Sequence, residues 1–519
     1  MNAPLRLMHD GLLARAGDPA LRNKPAVIVE GRPHTYGELL DSAQRLAAAL
    51  GERGVRRGER VAIYMDNSWF CVVSIYATWL AGAVMLLINP QTKRDKLGFI
   101  LDDSGARILL TDGHIAKEFL PLLTAAPSSL GVICSGAVPA GRGIDSLELL
   151  LRDTPPLRES PATIALDLAA LIYTSGSTGQ PKGVMQTHQS MLFATGSLIE
   201  YLRLDPHDVI LCVLPLAFDY GLYQLLMSVQ LGATLVLERS FTYPAQVFER
   251  MRAFKVTVFP GVPTIFAMLL SAHQREALCF EGITRVTNTA AALSDSSAAR
   301  LRAIFPHALV YKMYGLTECK RVSYLEPELV DARPGSVGKA IPGTEVYLLN
   351  ADGSATAVGE TGTLHVRGPH VMLGYWNRPD LSERMLRPGK LPGERILCTQ
   401  DQFRMDSDGF LYFVGRSDEI IKTRGEKVSP VEVENAMLAI TGIREVAVVG
   451  VADELLGQAV RAYVVLETDA SLSIGQIRAR CIACLENFTV PQQIVVCADL
   501  PKTSTGKVSK TALLAQMEG

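Results

Sequence analysis

The sequence predicts a large α/β protein in which mainly parallel sheets are covered by helices. Apolar, strand-like runs alternate with helical stretches along most of the chain, and this alternation is typical of parallel sheets with helical crossovers. Several runs, such as LIY at 171–173, carry no polar alternation, as expected of strands buried on both faces. The predicted strands are Val61–Met65, Arg107–Thr111, Ala169–Tyr173, Val209–Leu214, Thr234–Leu237, Val256–Phe259 and Leu309–Met313.

The last third of the chain has a different pattern. From about Ala340, short segments separated by Gly, Asp and Pro favour an antiparallel, barrel-like subdomain. After 415–418 (Gly-Arg-Ser-Asp), the tail reads as a compact α+β unit large enough to fold on its own. We therefore expect a large N-terminal domain over 1–417 and a small C-terminal domain over 418–519. Within the tail the predicted elements are helix Glu432–Ile440, strands Val446–Val451 and Ala459–Leu466, helix Ile474–Leu485 and strand Gln493–Cys497.

Composition excludes some functions. Lys plus Arg number 51 and Asp plus Glu 53, so the molecule has no overall field for binding nucleic acid or an anionic membrane. Nine cysteines lie mostly in apolar runs, as free thiols do in a reducing compartment. Cys481 and Cys484 form a CxxC without a second pair at zinc-ligand spacing, and we predict two buried positions on one helix face. The first 20 residues lack an apolar segment, so we expect no signal peptide and a cytoplasmic location.

One segment imitates a membrane span. Trp69–Ile88 is 20 residues without a charge, which is long enough to cross a bilayer. Gly82 interrupts it, however, and the two halves differ in character. Ser68–Ala81 is typical of a capped, buried helix and Val84–Ile88 of a buried strand. With no comparable second segment, the sequence favours a buried location over a membrane span.

The strongest local motif is YTSGSTGQPKG at 173–183, which follows a predicted buried strand. Its glycines let several backbone N–H groups converge on an anion, its hydroxyls add donors, and Lys182 adds positive charge. It is not the NTPase P-loop, because Pro181 precedes the lysine and a strand rather than a helix follows. A flexible Ser/Gly turn explains this mixture less well than a phosphate cradle does. The cradle residues are Thr174, Ser175, Gly176, Ser177, Thr178 and Gly179.

Three further motifs follow in order. In 314–318 (Tyr-Gly-Leu-Thr-Glu), an aromatic ring, a hydroxyl and a carboxylate stand at the end of a predicted strand, where they could contact a base, a phosphate and a metal. Taken alone, a turn with a helix-start Glu explains this motif equally well. Asp401 and Arg416 could pair with vicinal hydroxyls. Lys507 lies on a Gly-containing loop, PKTSTGK, where an isolated lysine would usually be a solvated surface residue.

Together, the four motifs resemble those of the adenylate-forming superfamily, which includes acyl-CoA synthetases, the adenylation domains of nonribosomal peptide synthetases, and beetle luciferases. The resemblance covers nearly the whole chain. It implies an AMP-forming acid–thiol ligase that uses ATP and Mg²⁺ to make an acyl-adenylate and then transfers the acyl group to a thiol.

The resemblance also implies residue roles on the nucleotide side. Tyr314, with Gly315, would lie against adenine, Thr317 at the α-phosphate, and Glu318 on Mg²⁺, a hard cation held through one carboxylate and substrate phosphates. Lys182 would offset phosphate charge.

For the ribose, the resemblance implies Asp401 and Arg416. The family usually has glycine where this chain has Gln400, so the local turn is expected to differ. Lys507 would contact the substrate carboxylate and the α-phosphate, where its charge offsets the approach of two anions.

The resemblance further implies a mobile small domain. Asp418 falls at the family's hinge, and Gly425 at the position that reaches the thiol tunnel after the small domain rotates. One cleft would then serve two conformations.

The acid pocket is expected to include Phe218, Asp219, Ala290 and Ala291. A Phe-Asp pair at this place supplies the carboxylate for the substrate ammonium in amino-acid-activating domains, whereas many acyl-CoA synthetases have histidine nearby. Asp219 is equally well explained as a helix N-cap or a structural hydrogen-bonding group. The alanines replace a usually Gly-rich segment, so a long acyl chain is not assumed.

The expected partners are a small carboxylic acid, ATP and a separate thiol, with CoA preferred over the phosphopantetheine of a carrier protein. The alternative function is a stand-alone enzyme that adenylates an amino acid or β-amino acid and loads a carrier protein.

Overall fold

The computed structural model describes residues 5–123, 130–137, 143–175, 180–289, 293–417, 419–423, 426–453, 456–467, 470–503 and 507–515. The helices are α1 (Asp10–Gly17), α2 (Tyr36–Glu52), α3 (Trp69–Leu80), α4 (Arg94–Ser104), α5 (Ala116–Leu123), α6 (Leu147–Asp153), α7 (His188–Tyr201), α8 (Asp219–Leu231), α9 (Pro244–Ala253), α10 (Pro263–Arg275), α11 (Asp295–Ile304), α12 (Pro379–Met385), α13 (Pro430–Leu438), α14 (Ile474–Cys484) and α15 (Lys510–Ala515).

The strands are β1 (Pro25–Val29), β2 (Arg32–Thr35), β3 (Arg60–Tyr64), β4 (Val84–Ile88), β5 (Ile108–Asp112), β6 (Gly131–Ser135), β7 (Ile144–Ser146), β8 (Leu168–Ser175), β9 (Pro181–Thr187), β10 (Val209–Cys212), β11 (Thr234–Leu237), β12 (Val258–Gly261), β13 (Arg285–Asn288), β14 (Leu309–Tyr314), β15 (Ser323–Leu325), β16 (Lys339–Ala340), β17 (Glu345–Leu349), β18 (Thr361–Arg367), β19 (Leu386–Pro388), β20 (Arg395–Met405), β21 (Leu411–Arg416), β22 (Ile421–Thr423), β23 (Glu426–Val428), β24 (Ile443–Asp453), β25 (Gly457–Leu466) and β26 (Gln493–Cys497).

Two mainly parallel sheets form the large domain, as the sequence predicts. The first has nine strands in the order β16-β15-β14-β13-β12-β10-β11-β1-β2, and only its ends pair antiparallel. The second has seven strands in the order β7-β6-β5-β3-β4-β8-β9, with β8–β9 as its antiparallel pair. The largest hydrophobic core contains residues of both sheets and of the helices between them.

The charge-free segment at 69–88 is a buried helix followed by a buried strand. Ser68 caps α3 by accepting a hydrogen bond from the Cys71 N–H (3.1 Å), and every residue from Cys71 to Leu80 is buried. β4 is buried along its whole length between β3 and β8. Among the helices described here, none is long and apolar enough to cross a membrane.

The C-terminal third contains two smaller sheets. β17, β18, β19, β20 and β21 form an antiparallel sheet in which the long strand β20 pairs with β18, β19 and β21. In the small domain, the order β23-β22-β25-β24 is completed by β26, which pairs parallel with β25. α13 and α14 share a separate hydrophobic core with this sheet. The boundary at 417/418 stays a prediction, since Asp418 lies outside the described residues.

All nine cysteines are free. The prediction for the CxxC pair was right for Cys481, which is fully buried, and wrong for Cys484, which is exposed. Cys484 is the last residue of α14, so its side chain is no longer covered by the core that encloses Cys481.

Candidate active site

A cavity of about 830 Å³ lies between the large domain and the small one. The large domain lines it with the loop after β14 and with residues of β8, β9, β20 and β21. The small domain contributes one face of α13 and the C-terminal loop that carries Lys507. The volume falls in the range of small-molecule and cofactor sites. The predicted residues that line it are Thr174, Lys182, Phe218, Asp219, Tyr314, Gly315, Thr317, Glu318, Asp401, Arg416 and Lys507.

The loop after β14 forms the centre of this cavity and depends on a close backbone approach. A Cβ on Gly315 would meet the Lys320 carbonyl oxygen at 2.1 Å, so the turn requires glycine there. The Val322 N–H donates to the Tyr314 carbonyl (2.9 Å), and Lys320 adopts a left-handed φ of 63°. The turn thereby presents Thr317 and Glu318 to the cavity.

Asp401 and Arg416, the predicted ribose pair, are register partners across β20 and β21. The Tyr314 hydroxyl donates to Asp401 Oδ2, which joins the predicted adenine residue to the predicted ribose residue. Burial raises the pKa of the Asp401 carboxyl to about 6, against the lowering effects of the Tyr314 hydrogen bond and of Arg416. The motifs at 314 and 401 therefore form one hydrogen-bonded unit.

Gln400, where the family resemblance implies glycine, has a backbone conformation that glycine favours. Its φ is 62°, in the left-handed region, and its carbonyl accepts hydrogen bonds from the Ser417 N–H (3.0 Å) and hydroxyl (2.6 Å). Its φ has the sign that glycine adopts without strain, and the expectation that the local turn differs from that of relatives stays a prediction. A left-handed L-residue costs roughly 1–2 kcal/mol.

Tyr375 is a site residue that the sequence analysis missed. It is 2 % exposed, its hydroxyl donates to Glu318 Oε1 (2.6 Å), and Lys182 Nζ lies 4.6 Å from its ring centroid. It thus fixes the carboxylate predicted to hold Mg²⁺ and contacts the lysine of the phosphate motif. Only the GYW sequence around it offered a signal.

The phosphate motif starts on β8 and ends on β9, which pair antiparallel. Thr174 is the register partner of Lys182, and both line the cavity. Ser175 ends β8. The remaining predicted residues of this motif, Gly176, Ser177, Thr178 and Gly179, lie outside the described residues, as do Ala290, Ala291, Asp418 and Gly425.

Lys507 reaches the cavity from the small domain. Desolvation inside the cleft and the neighbouring Arg416 lower the pKa of its ammonium, while Asp401, Glu419 and Glu318 act in the opposite direction. The same three carboxylates show that Lys507 lies close to the nucleotide side of the cavity. A cation at this place can offset charge as an anionic acid approaches a phosphate.

Asp219 also lines the cavity, as the first residue of α8. We call the part of the cavity lined by Phe218, Asp219, Lys320 and Arg321 the acid end. The cap position belongs to Phe218, and no side-chain hydrogen bond caps the helix, so the N-cap interpretation of Asp219 was wrong. Asp219 is 8 % exposed, and its Oδ1 has no hydrogen-bond partner among the described residues. Burial raises the pKa of its carboxyl to about 6, although Arg321 and Lys320 pull it down.

Two buried cations next to Asp219 were also missed. Lys320 and Arg321 are 1 % and 3 % exposed and line the same cavity. Lys320 Nζ donates to Gln186 Oε1, Ser190 Oγ and the His370 carbonyl, all neutral acceptors. The signal available in the sequence was a pair of charges enclosed by apolar residues, in CKRV at 319–322.

The donor set fits the ligands that the motifs predict. Glu318 supplies the hard oxygen ligand that Mg²⁺ prefers when phosphates complete its coordination. Tyr314, Asp401 and Arg416 supply a ring, a carboxylate and a guanidinium at one end of the cavity, and Lys182 and Lys507 supply cations.

Comparison with known proteins adds independent findings. The AMP-binding enzyme family matches residues 16–376, and the AMP-binding enzyme C-terminal domain matches residues 432–507. The chain is 28% identical over 522 residues to the long-chain-fatty-acid–CoA ligase of Bacillus subtilis, covering 95% of this chain and 92% of that protein. It is 32% identical over 489 residues to the 2-succinylbenzoate–CoA ligase of Geobacillus kaustophilus, covering 93% of each. The crystal structure of the anthranilate CoA ligase AuaEII in complex with anthranoyl-AMP superposes with a TM-score of 0.92 at 26% identity, covering 99% of this chain and 98% of that one.

Proposed function

The chain belongs to the AMP-binding enzyme family of adenylate-forming proteins, and we propose that it converts a carboxylic acid, ATP and CoA to an acyl-CoA, AMP and pyrophosphate. The family resemblance predicted from the four motifs is thereby confirmed. The protein is an AMP-forming acid–thiol ligase of the acyl-CoA synthetase type, as its relatives' names indicate. The observation that carries the proposal is that one cavity gathers described residues of all four motifs.

The first half-reaction joins acid and nucleotide. A carboxylate oxygen of the acid attacks the α-phosphorus of ATP, the bond from that phosphorus to the bridging oxygen breaks, and pyrophosphate leaves with the electron pair. Lys507, Lys182 and Thr317 line the cavity; in this proposal the two lysines offset the accumulated negative charge and the Thr317 hydroxyl holds the α-phosphate. Most of the work is positioning and electrostatics.

Mg²⁺ would be held by Glu318, and it would neutralise phosphate charge when bound. Tyr375 keeps the Glu318 carboxylate directed toward the cavity through its hydroxyl (2.6 Å).

In the second half-reaction, a thiol sulfur attacks the acyl carbon of the adenylate, the bond from that carbon to the phosphate oxygen breaks, and AMP leaves. We propose CoA as the thiol. We further propose that the small domain rotates near Asp418 to bring Gly425 to the thiol, which uses the cleft in two conformations. A cytoplasmic location also stays a proposal.

The alternative of a stand-alone amino-acid-adenylating enzyme that loads a carrier protein is not favoured, because the relatives named above are CoA ligases. The acids of those relatives differ from one another, being a fatty acid, an aryl diacid and an aminobenzoate. The names of the relatives therefore do not identify the acid substrate of this chain, which depends on the residues of its own pocket.

The test is ATP–pyrophosphate exchange with the purified full-length protein across fatty, aryl, dicarboxylic, α-amino and β-amino acids. We expect exchange with one acid class, AMP rather than ADP as product, and CoA-dependent release of AMP. Lys507→Ala should lower exchange by about a hundredfold or more, because a charge that stabilises the transition state is lost.

Lys502→Ala is the matched control, since Lys502 lies on the same loop but pairs with Glu445 (3.0 Å) away from the cavity. Formation of ADP, or equal losses in the two lysine variants, would contradict the proposed function.

A further inference from the structure

Arg321 is buried at the acid end of the cavity, and one edge of its guanidinium makes no hydrogen bond to the described residues. It is 3 % exposed, its Nη1 donates to the Lys320 carbonyl (2.7 Å), and its Cζ lies 5.0 Å from the centroid of the Tyr220 ring. Its Nε and Nη2 have no hydrogen-bond partner in the described part of the chain. These two nitrogens form the side-on edge of the guanidinium, which binds a carboxylate through two parallel hydrogen bonds.

A buried guanidinium with two unused donors is costly for the protein. Leaving a buried charged group without a hydrogen-bond partner forfeits more free energy than a neutral group would. The hydroxyl of Tyr201 lies close enough to interact with the Arg321 guanidinium, but it makes no hydrogen bond of normal geometry with Nε or Nη2, and its own proton is donated to Met313 Sδ (3.0 Å). The cost is explained if a ligand, rather than the protein, supplies the acceptor.

Asp219 makes no direct ion pair with Arg321, although the charge of Arg321 lowers the pKa of its carboxyl. No ion pair within 4.0 Å joins Arg321 to a carboxylate of the described residues, and Asp219 Oδ1 is itself unpartnered. Both side chains line the cavity, so each faces space that a ligand can enter.

The charges at this end of the cavity favour an anion over an ammonium. Arg321 is a buried guanidinium that stays charged, and Lys320 lies beside it; the carboxylates that act on this part of the cavity are Asp219 and Glu318, and Glu318 is already held by Tyr375. Lys320 is already engaged by three neutral acceptors, so Arg321 is the charged donor without a partner among the described residues that line this end, beside the neutral hydroxyl of Thr289. A substrate ammonium would bring a third cation beside Arg321 and Lys320, whereas a carboxylate would complete the side-on pair.

We infer that the acid activated by this enzyme is a dicarboxylic acid whose second, unreacted carboxylate is bound side-on by Nε and Nη2 of Arg321. The reacting carboxylate then faces Thr317 and Lys507. Phe218, Leu293 and Met313 line the cavity and suit an apolar or aryl spacer between the two carboxylates. Asp219, once protonated, can donate to the same second carboxylate. The inference rests on the proposed function and narrows its substrate class.

The experiment compares each diacid with analogues that differ only at the far end. Wild-type protein is assayed by pyrophosphate exchange with aliphatic C4–C8 and aryl dicarboxylic acids, with the methyl half-ester of each, and with the amino acid that has an ammonium in place of the second carboxylate. We expect at least one diacid to exceed its half-ester by about a hundredfold in kcat/KM, because a site built for a charged group rejects the analogue that lacks it.

Arg321→Gln should bring the ratio of diacid to half-ester near one, and Arg321→Lys should give an intermediate ratio because it keeps the charge without the planar fork. Arg302→Gln is the matched control, since Arg302 is exposed on α11 and pairs with Asp331 (2.9 Å). If Arg321→Gln fails to fold, the wild-type ratio decides alone.

Preference for a half-ester, a monoacid or the amino acid would overturn the inference while leaving the proposed function intact. An unchanged ratio in a folded Arg321→Gln protein would do the same. Absence of exchange with every acid would instead overturn the proposed function, and the inference with it.

Discussion

The two ends of the cavity differ in how far their polar side chains are hydrogen-bonded to one another. At the nucleotide end, the side chains engage one another: Tyr314 donates to Asp401, and Tyr375 donates to Glu318 and lies against Lys182. At the acid end, polar atoms of Asp219 and Arg321 have no partner among the described residues. The nucleotide end is organised before its ligand binds, whereas the acid end depends on its ligand to complete its hydrogen bonds.

This difference separates what a family shares from what one enzyme selects. A nucleotide is the same for every member, so its site can be built from interlocking side chains. A buried polar group without a partner lowers the stability of the ligand-free protein. It is retained where a ligand supplies the missing hydrogen bond, so such groups mark ligand-binding sites.

The largest expected effect is at the nucleotide end, at the carboxylate assigned to Mg²⁺. Glu318→Gln keeps the shape and the possibility of a hydrogen bond to Tyr375 but removes the charge. We expect kcat for pyrophosphate exchange to fall by about a hundredfold to a thousandfold. Excess Mg²⁺ should restore part of the loss.

Glu328→Gln provides the control, because Glu328 is an exposed carboxylate paired with Arg203 (2.6 Å). A fall in both variants of similar size would mean that Glu318 acts on folding rather than on the metal.

A smaller effect is expected at the hydrogen bond between Tyr314 and Asp401, the side chains assigned to adenine and ribose. Tyr314→Phe removes the hydroxyl that donates to Asp401 and leaves that buried carboxyl without this partner. We expect the KM for ATP to rise by about tenfold, as for the loss of a hydrogen bond to a charged group.

Tyr412→Phe is the matched control, since Tyr412 makes the same kind of bond to Asp406 (3.1 Å) away from the cavity. An unchanged KM for ATP in Tyr314→Phe would show that Asp401 does not need to be oriented.

At the acid end, removing a charge should stabilise the ligand-free enzyme. Burial raises the pKa of Asp219 to about 6, so its ionised form is disfavoured in the folded protein. Because the usual Asp pKa is about 3.9, the raised pKa stabilises the folded state fully below about pH 4, and this contribution is lost as pH rises from about 4 through 6. Asp219→Asn should therefore increase the free energy of unfolding by about 1–2 kcal/mol at pH 8, by part of that amount at pH 5 and by little at pH 4.

Asp208→Asn is the control, a buried carboxylate that has partners. Asp208 is also buried, but it is paired with Arg285 (2.9 Å) and accepts from the Thr257 hydroxyl (2.7 Å), so its replacement should destabilise the protein. If both substitutions destabilise equally, Asp219 has a structural partner after all.

The sequence predicted the nucleotide end of the cavity better than the acid end. The parallel sheets, the split of 69–88 into helix and strand, and the small α+β domain were predictable because periodicity and caps act locally. Asp401 and Arg416 were identified through motifs, and the structure places them as register partners on β20 and β21, while their ribose role stays a prediction. Lys320 and Arg321 were not predicted as site residues, because they follow the motif at 314–318 without belonging to it. Only the folded structure brings them into the same cavity as Asp219. Tyr375 was missed since its contacts come from residues far along the chain.

The smallest expected effect concerns Gln400, a residue with a Cβ that adopts a left-handed backbone conformation. Its φ of 62° costs roughly 1–2 kcal/mol for a residue with a Cβ. Gln400→Gly removes that strain but gives the unfolded chain more freedom, which costs about 0.5–1 kcal/mol. The net gain should therefore be at most about 1 kcal/mol, seen as a rise in Tm of about 1–3 °C. Gln400→Ala should leave Tm nearly unchanged, because any Cβ experiences the same strain. A clear loss of stability in Gln400→Gly would mean that the Gln400 side chain, and not its backbone, supports the end of the cavity that binds the ribose.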